Sequence, residues 1–281
     1  MDAMVSTRVP SPELAPLVEI LWHCDASPAA RHPERVLPNG RFQIVIDVAT
    51  GAGSVSGLRS RSVTIGTAAV RSLMGAVFRP GGARGFIGVA AHKLFNGHAP
   101  LDALWGSRSR TLGDRLGEAA TASDRLAVLE SALLEALRTT DRDRLAMHPS
   151  VAHALHHFRR NARMHSVEEV SRDAGLSRRR FGQLFDEQIG MTPKLYSRLI
   201  RFRRVLRQIA AGEPVDWADV AAAGGYYDQA HLAHEFRDFS GMSPGSFLKA
   251  DRPFENHVRV TSHSYKTGQP AAADAGRREG L

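Results

Sequence analysis

Between residues 167 and 245 the chain states one pattern twice, and this internal repeat limits the fold more than any other feature. SRRRFGQLFDEQIGMTPK (177–194) superposes on DQAHLAHEFRDFSGMSPG (228–245) at a constant offset of 51. The offset aligns Phe181 with Leu232, Phe185 with Phe236, Gly190 with Gly241, Met191 with Met242 and Pro193 with Pro244. Upstream, Val170 aligns with Val220 at an offset of 50, so the second turn is one residue longer. Self-similarity of this kind marks one supersecondary unit used again. In each copy a short helix (167–173; 216–223) is predicted to end at a glycine turn, Ala174-Gly175-Leu176 or Gly224-Gly225-Tyr226, where glycine permits a sharp reversal. Ser177 or Asp228 then caps a second helix by accepting hydrogen bonds from its unpaired N–H groups. The reading is a helix-turn-helix motif, repeated within an all-α region over 150–250.

Such a motif holds its second helix at a steep angle on the first, so that the N-terminal residues can enter a DNA major groove about 12 Å wide. Phe181, Leu184 and Phe185, and in the second copy Leu232, Ala233 and Phe236, then point back into the domain. The outer faces carry Arg178, Arg179, Gly182 and Gln183, and Gln229, Ala230, His231 and His234. Arginine suits guanine, glutamine suits adenine, and histidine donates to either acceptor. Between the copies, Leu195, Leu199, Phe202, Val205, Leu206 and Ile209 define a long amphipathic helix, a rigid spacer. If it sets the two recognition helices about 34 Å apart, one turn of duplex, both read one face of DNA in successive grooves.

The net charge of +8 and pI near 10.3 fit an acidic partner, although the excess is spread along the chain. Locally, Gly190 to Gly212 contains Lys194, Arg198, Arg201, Arg203, Arg204 and Arg207 with no acid. On charge alone, a solvated helix face is the simpler explanation of that run.

With these residues named, 150–250 resembles the DNA-binding domain of the AraC family of bacterial transcription regulators. GYYDQAHLAHEFRDFSGMSP (225–244) is similar to the family's second-motif signature, and GLSRRRFGQLFDEQIGMTP (175–193) matches more loosely in the right place. The resemblance implies double-stranded DNA as partner, with base contacts from Arg179 and Gln183 in the first recognition helix. The second helix would contribute Gln229, Ala230, His231 and His234. Phosphate contacts are expected from Arg178, Arg180, Arg201, Arg204 and the helix N-termini. Two positions depart from the family pattern. Gly182 stands where the family can place a base-contacting side chain, and Ala230 offers only an apolar contact.

The first 145 residues read as an α+β domain, a small sheet plus helices, joined to the tandem helix-turn-helix domain. RFQIVIDV (41–48) alternates like a half-buried strand after the Pro38-Asn39-Gly40 turn, and SVTIG (62–66) and LMGAVFRP (73–80) read as further strands. From Ala83 the pattern turns helical. The clearest helix covers 124–138, with Leu126, Leu129, Leu133, Leu134 and Leu137 on one stripe behind a Thr121-x-x-Asp124 cap signal. That stripe packs either on its own sheet or on a second subunit. TTDRDRLAMHP (139–149) reads as a linker, and 255–281 as a disordered tail with a short strand around Val258 and Val260.

The VLPNGRFQIVIDV, FRPGGARGF and PLDALWG stretches resemble the leading domain of a subset of such regulators, which implies sensing or dimerisation and carries over no ligand. Trp22, His23, Phe78, Arg79 and Trp105 are candidates for a small-molecule effector pocket, with plain core as the competing reading. A homodimer partner and RNA polymerase complete the expected partners.

With 43% hydrophobic and 23% charged residues, no window near the roughly 18 apolar residues of a membrane span, and no signal-peptide order at the N-terminus, a cytoplasmic, non-membrane protein is expected. A single cysteine, Cys24, excludes internal disulfides and a cysteine-based zinc site. His153, His156 and His157 have helical metal-ligand spacing, but no evident carboxylate or cysteine completes the set, so no metal and no cofactor is expected. No nucleophile elbow or phosphate loop occurs, and FRPGGARG (78–85) is only a glycine-rich turn able to bind an anion, so the chain is not read as an enzyme. Two alternatives stay open on the residues alone. The N-terminal domain has its own ligand-binding or catalytic activity that the helical domain tethers to DNA, or the helical domain is an adaptor that has lost its base readers.

Overall fold

The computed structural model describes residues 4–25, 33–66, 72–160, 167–210, 215–252 and 256–260. Among them, β1 (Met4–Arg8), β2 (Val18–Asp25), β3 (Glu34–Val36), β4 (Gln43–Asp47), β5 (Gly53–Ser56), β6 (Val63–Ile65) and β7 (Ser72–Phe78) come first. They are followed by α1 (Arg84–Ile87), a single 3-10 turn at Ala91–Leu94, β8 (His98–Pro100), α2 (Leu101–Trp105), α3 (Ser107–Glu118) and α4 (Ala122–Arg138). Six strands form an antiparallel sheet in the order β1-β2-β7-β4-β5-β8. The alternation in 41–48 is realised in β4, where Ile44 and Ile46 are buried and Gln43, Val45 and Asp47 are half-exposed.

Thr121 caps α4 through a full capping box with Asp124, which settles where that helix starts. Leu126, Leu129 and Leu133 are buried, and the helix packs across β1 and β2. Arg8 and the Ser11 N–H both bond Glu130, tying the helix to the first strand and the turn beyond it. The leucine stripe therefore covers its own sheet.

The charged stretch after α4 is not a free linker. It contains α5 (Arg142–Leu145) and is docked by polar side chains that satisfy loose backbone carbonyls: Thr140 donates to Gly85 O (2.7 Å), Arg144 to Gly88 O (3.2 Å), and Arg84 to Ala146 O (2.9 Å).

The second region is helical: α6 (Pro149–Arg160), α7 (Val167–Asp173), α8 (Arg178–Ile189), α9 (Pro193–Ala210), α10 (Trp217–Gly224), α11 (Gln229–Ser240) and α12 (Pro244–Leu248). The central helix α9 anchors an aromatic cluster in each repeat. Tyr196 meets Phe158 and Phe185, which also contacts Phe181, while Phe202 meets Phe236 and Phe239. These rings are buried, so the repeated apolar positions form the core that seats both α8 and α11.

The chain then returns to the first region. β9 (His257–Arg259) pairs antiparallel with β3 in a second sheet of order β6-β3-β9, with Val258 buried and His257 Nδ1 2.7 Å from Glu34 Oε2. The expected strand thus exists and adds to the first domain's edge. Within the predicted tail, residues 255 and 261–281 lie outside the described residues.

Candidate nucleic-acid interface

The second helix of each repeat begins at a side-chain cap. Ser177 accepts from Arg180 N–H at the start of α8, and Asp228 accepts from His231 N–H (2.7 Å) at the start of α11. Each helix ends at a left-handed glycine, Gly190 (φ 89°) and Gly241 (φ 73°), which fixes both lengths at twelve residues. Arg178, Arg179, Arg180 and Gln183 are exposed on α8, and Gln229, Ala230, His231 and His234 are exposed on α11. Gly182 is half-exposed and faces open space. Tyr227 N–H donates to His231 Nδ1 (3.4 Å), which ties the ring to the turn before α11. His234 Nε2 is 3.7 Å from Asp238, a contact that steadies the ring when it is protonated.

One expected contact residue is not available to DNA. Arg201 is 6% exposed and lies against Glu235, itself 2% exposed. Arg201 Nη2 donates to Glu235 Oε1 (3.0 Å) and Oε2 (2.9 Å), and Nε donates to Oε1 (3.2 Å). Its guanidinium also sits 4.6 Å from the centre of the Tyr226 ring. Arg198 adds bonds to Glu235 (2.8 Å) and Asp238 (3.2 Å), which hold its pKa above the ordinary arginine value although burial works against its charge. The acids that neutralise this part of the basic run come from α11, a different helix, so Arg201 joins α9 to α11. Arg204 is half-buried and donates to Arg159 O (3.0 Å). Burial lowers its pKa, with Arg207 adding to the effect.

The residue that sequence reasoning passed over is Tyr227, 92% exposed directly before the α11 cap. The Tyr226-Tyr227 doublet carried the signal, one ring in the core and its neighbour in solvent. Tyr226 is buried, and its phenol is pushed well above its ordinary pKa by burial and by the Glu235 carboxylate.

The N-terminal region contacts the C-terminal ends of both α8 and α11. Arg35 of β3 donates to Ser240 O (3.3 Å) and Gly241 O (3.1 Å) at the end of α11. Ser62, next to β6, adds N–H to Phe239 O (2.8 Å) and Oγ to Ser240 O (3.0 Å). These donors occupy carbonyls that a helix end leaves unpaired, and Arg35 places positive charge at the negative end of the helix dipole. At α8, Gly190 lies so close to Ala91 that a Cβ there would come within 2.9 Å of the Ala91 oxygen. Equivalent positions of the two repeats thus abut the same domain.

The expected effector residues do not converge. His23 is buried on β2, with Nε2 3.0 Å from Ser72 Oγ and 3.4 Å from the Arg125 guanidinium. Burial lowers its pKa, against the opposing pull of Asp25. Phe78 is buried against Phe86, Arg79 donates to Ala15 O, and half-buried Trp22 lies beside Gly75. Trp105 lines a cleft of about 640 Å³ together with Phe86, Arg108, Thr140, Asp141 and Arg144. The physical reason is the strand alternation: neighbours in sequence on β2 point to opposite faces of the sheet. Cys24 is half-buried, and burial raises its thiol pKa, which works against thiolate reactivity.

With two capped helices of equal length seated on the helical core, the second region is a tandem helix-turn-helix module. Residues 170–250 match the Helix-turn-helix domain family, in its AraC-type form. Residues 6–100 match a Domain of unknown function, DUF6597. No curated protein matches this sequence. Among solved structures, the chain is similar to the C-terminal domain of AraT, a response regulator from Geobacillus stearothermophilus, at 17% identity over 37% of this chain and 86% of that one, TM-score 0.35. A transcriptional regulator with an AraC-type DNA-binding domain from Chromobacterium violaceum shares 20% identity over 36% of this chain and 90% of that one, TM-score 0.33. ToxT from Vibrio cholerae O395 shares 7% identity over 88% of this chain and 96% of that one, TM-score 0.41. At these TM-scores the likenesses are loose and bear on neither mechanism nor ligand. Among the described residues no helix is long and apolar enough to cross a membrane.

Proposed function

We propose that the protein reads a specific DNA sequence with α8 and α11 in successive major grooves on one face of the duplex. The observation that carries this reading is the paired exposure of Arg179 and Gln183 on α8 and of Gln229, His231 and His234 on α11, on helices of equal length with equivalent caps. The 18-residue helix α9 separates them, about 27 Å of rigid spacer. Phosphate contacts from Arg178, Arg180 and Arg204 set the register, and the base-edge residues set the sequence. Tyr227 joins them at the α11 entrance.

The N-terminal domain regulates this reading through Arg35, Ser62 and Ala91, its contacts with the ends of both recognition helices. The cleft at Trp105, beside the docked segment 139–146, is the effector site of this scheme, and Arg108 and Arg144 favour an anionic effector. Selection from a random duplex library with the full-length protein tests the reading. The expected product is a motif of two blocks about 10 bp apart, blurred in Arg179→Ala/His231→Ala. A single block, or a motif unchanged in the double variant, would remove the two-helix mechanism.

A further inference from the structure

His153 and His157 stand at i and i+4 on α6 with ring centroids 5.6 Å apart, and the fold supplies the carboxylate that the sequence around them lacks. Asp173, the last residue of α7, approaches them so that one ligand atom from each of the three lies within 4.8 Å of the others. Among the described residues no other three His, Cys, Asp or Glu side chains gather so closely. His156 is also exposed but is not in the group.

We propose that His153, His157 and Asp173 form a binding site for a divalent transition-metal ion, with Zn2+ the best-fitting ion. Two imidazole nitrogens and one carboxylate oxygen make a donor set that favours zinc, copper, nickel or cobalt over magnesium or calcium. Zinc takes such ligands at about 2.0–2.2 Å, so tetrahedral donors stand about 3.3 Å apart. The exposed His153 and Asp173 side chains close that difference by small rotations, and water completes the shell. The histidine spacing alone does not point to this group, because Asp173 lies on the next helix, beyond the reach of any local spacing rule. A bound ion staples α6 to α7, the first helix of the first helix-turn-helix, on which α8 is seated. The binding claim itself does not rest on the DNA-binding reading.

The test uses untagged, full-length protein freed of metal with a chelator and titrated with Co2+ and, separately, Zn2+. The expected result is one Co2+ per chain with the visible absorption of a four-coordinate site, displaced by Zn2+. His153→Ala and Asp173→Asn each weaken binding at least tenfold, while His156→Ala leaves it unchanged. Zn2+ should raise the melting temperature of the parent and of His156→Ala but not of the two ligand variants, whose metal-free melts report their folding independently. No spectrum, or one that survives both ligand substitutions, overturns the site and leaves the three side chains as a polar surface cluster. Equal loss in His156→Ala places the ion elsewhere and overturns it as well.

Discussion

Arg201→Met separates the buried-pair role from a phosphate-contact role. The substitution keeps an unbranched side chain but removes the three hydrogen bonds that Arg201 gives Glu235, whose carboxylate is 2% exposed. Stripping one partner from a buried pair costs about 3–5 kcal/mol, because the remaining charge is left without compensation in a low-dielectric site. Arg198 still donates to Glu235 at 2.8 Å, which places the expected loss near the lower end, about 3 kcal/mol. At roughly 2–4 °C per kcal/mol for a protein of about this size, the melting temperature should fall by about 6–12 °C. Arg201→Met/Glu235→Leu should recover most of it, since a fully apolar replacement of a buried pair is often neutral. The assay is thermal unfolding of the three proteins beside DNA affinity measured across salt. If Arg201→Met melts within about 0.5 kcal/mol of the parent and lowers the salt slope by about 0.9, Arg201 contacts phosphate and the buried-pair argument is wrong.

Other consequences are equally open to measurement. Arg179→Ala should cost about 1–3 kcal/mol on the selected DNA site and little on random duplex, without changing the melting temperature; equal losses on both would contradict base reading. Gly182→Ala adds a methyl group into open space within a helix, so stability should rise by about 0.5–1 kcal/mol, a gain absent if that stretch of α8 is not helical in solution. Because burial holds His23 below its ordinary pKa, the unfolded chain takes up a proton first as pH falls through about 6.5. The stability from neutral His23 is therefore full above that pH and is lost below it, so the parent should lose more melting temperature than His23→Gln between about pH 7 and 5.5. Parallel pH profiles would refute this. Arg35→Ala uncovers carbonyls at the end of α11 and should destabilise by about 1 kcal/mol; no change in melting temperature would mean that the contact is not maintained in solution.

What could be read from the sequence was local in origin. The capping box of α4, the caps of α8 and α11 and the glycine turns that precede those two helices depend on residues a few positions apart, and each stands where the spacing placed it. β2 is not legible in the sequence because its register shifts between Val18 and Ile20 and it buries a histidine, which breaks the alternation that marks a strand. β5 and β8 are too short to establish a period. The features that local spacing does not reach share one cause. Glu235 neutralises Arg201 from another helix, Asp173 reaches the α6 histidines from another helix, and Thr140 and Arg144 bond carbonyls around α1. Each is a contact between residues distant along the chain, and composition windows do not register such contacts. The candidate effector group failed for the complementary reason, since Trp22 and His23 are adjacent in sequence yet lie on opposite faces of a sheet.

The most direct test of the central claim is methylation interference at guanine N7 on the selected duplex, compared between the parent, Arg179→Ala and His231→Ala. Two helices reading one face predict two clusters of interfering guanines about 10 bp apart, with Arg179→Ala relieving interference in one cluster only and His231→Ala in the other. A single cluster, or clusters that both respond to the same substitution, would show that α8 and α11 do not occupy separate grooves and would contradict the account.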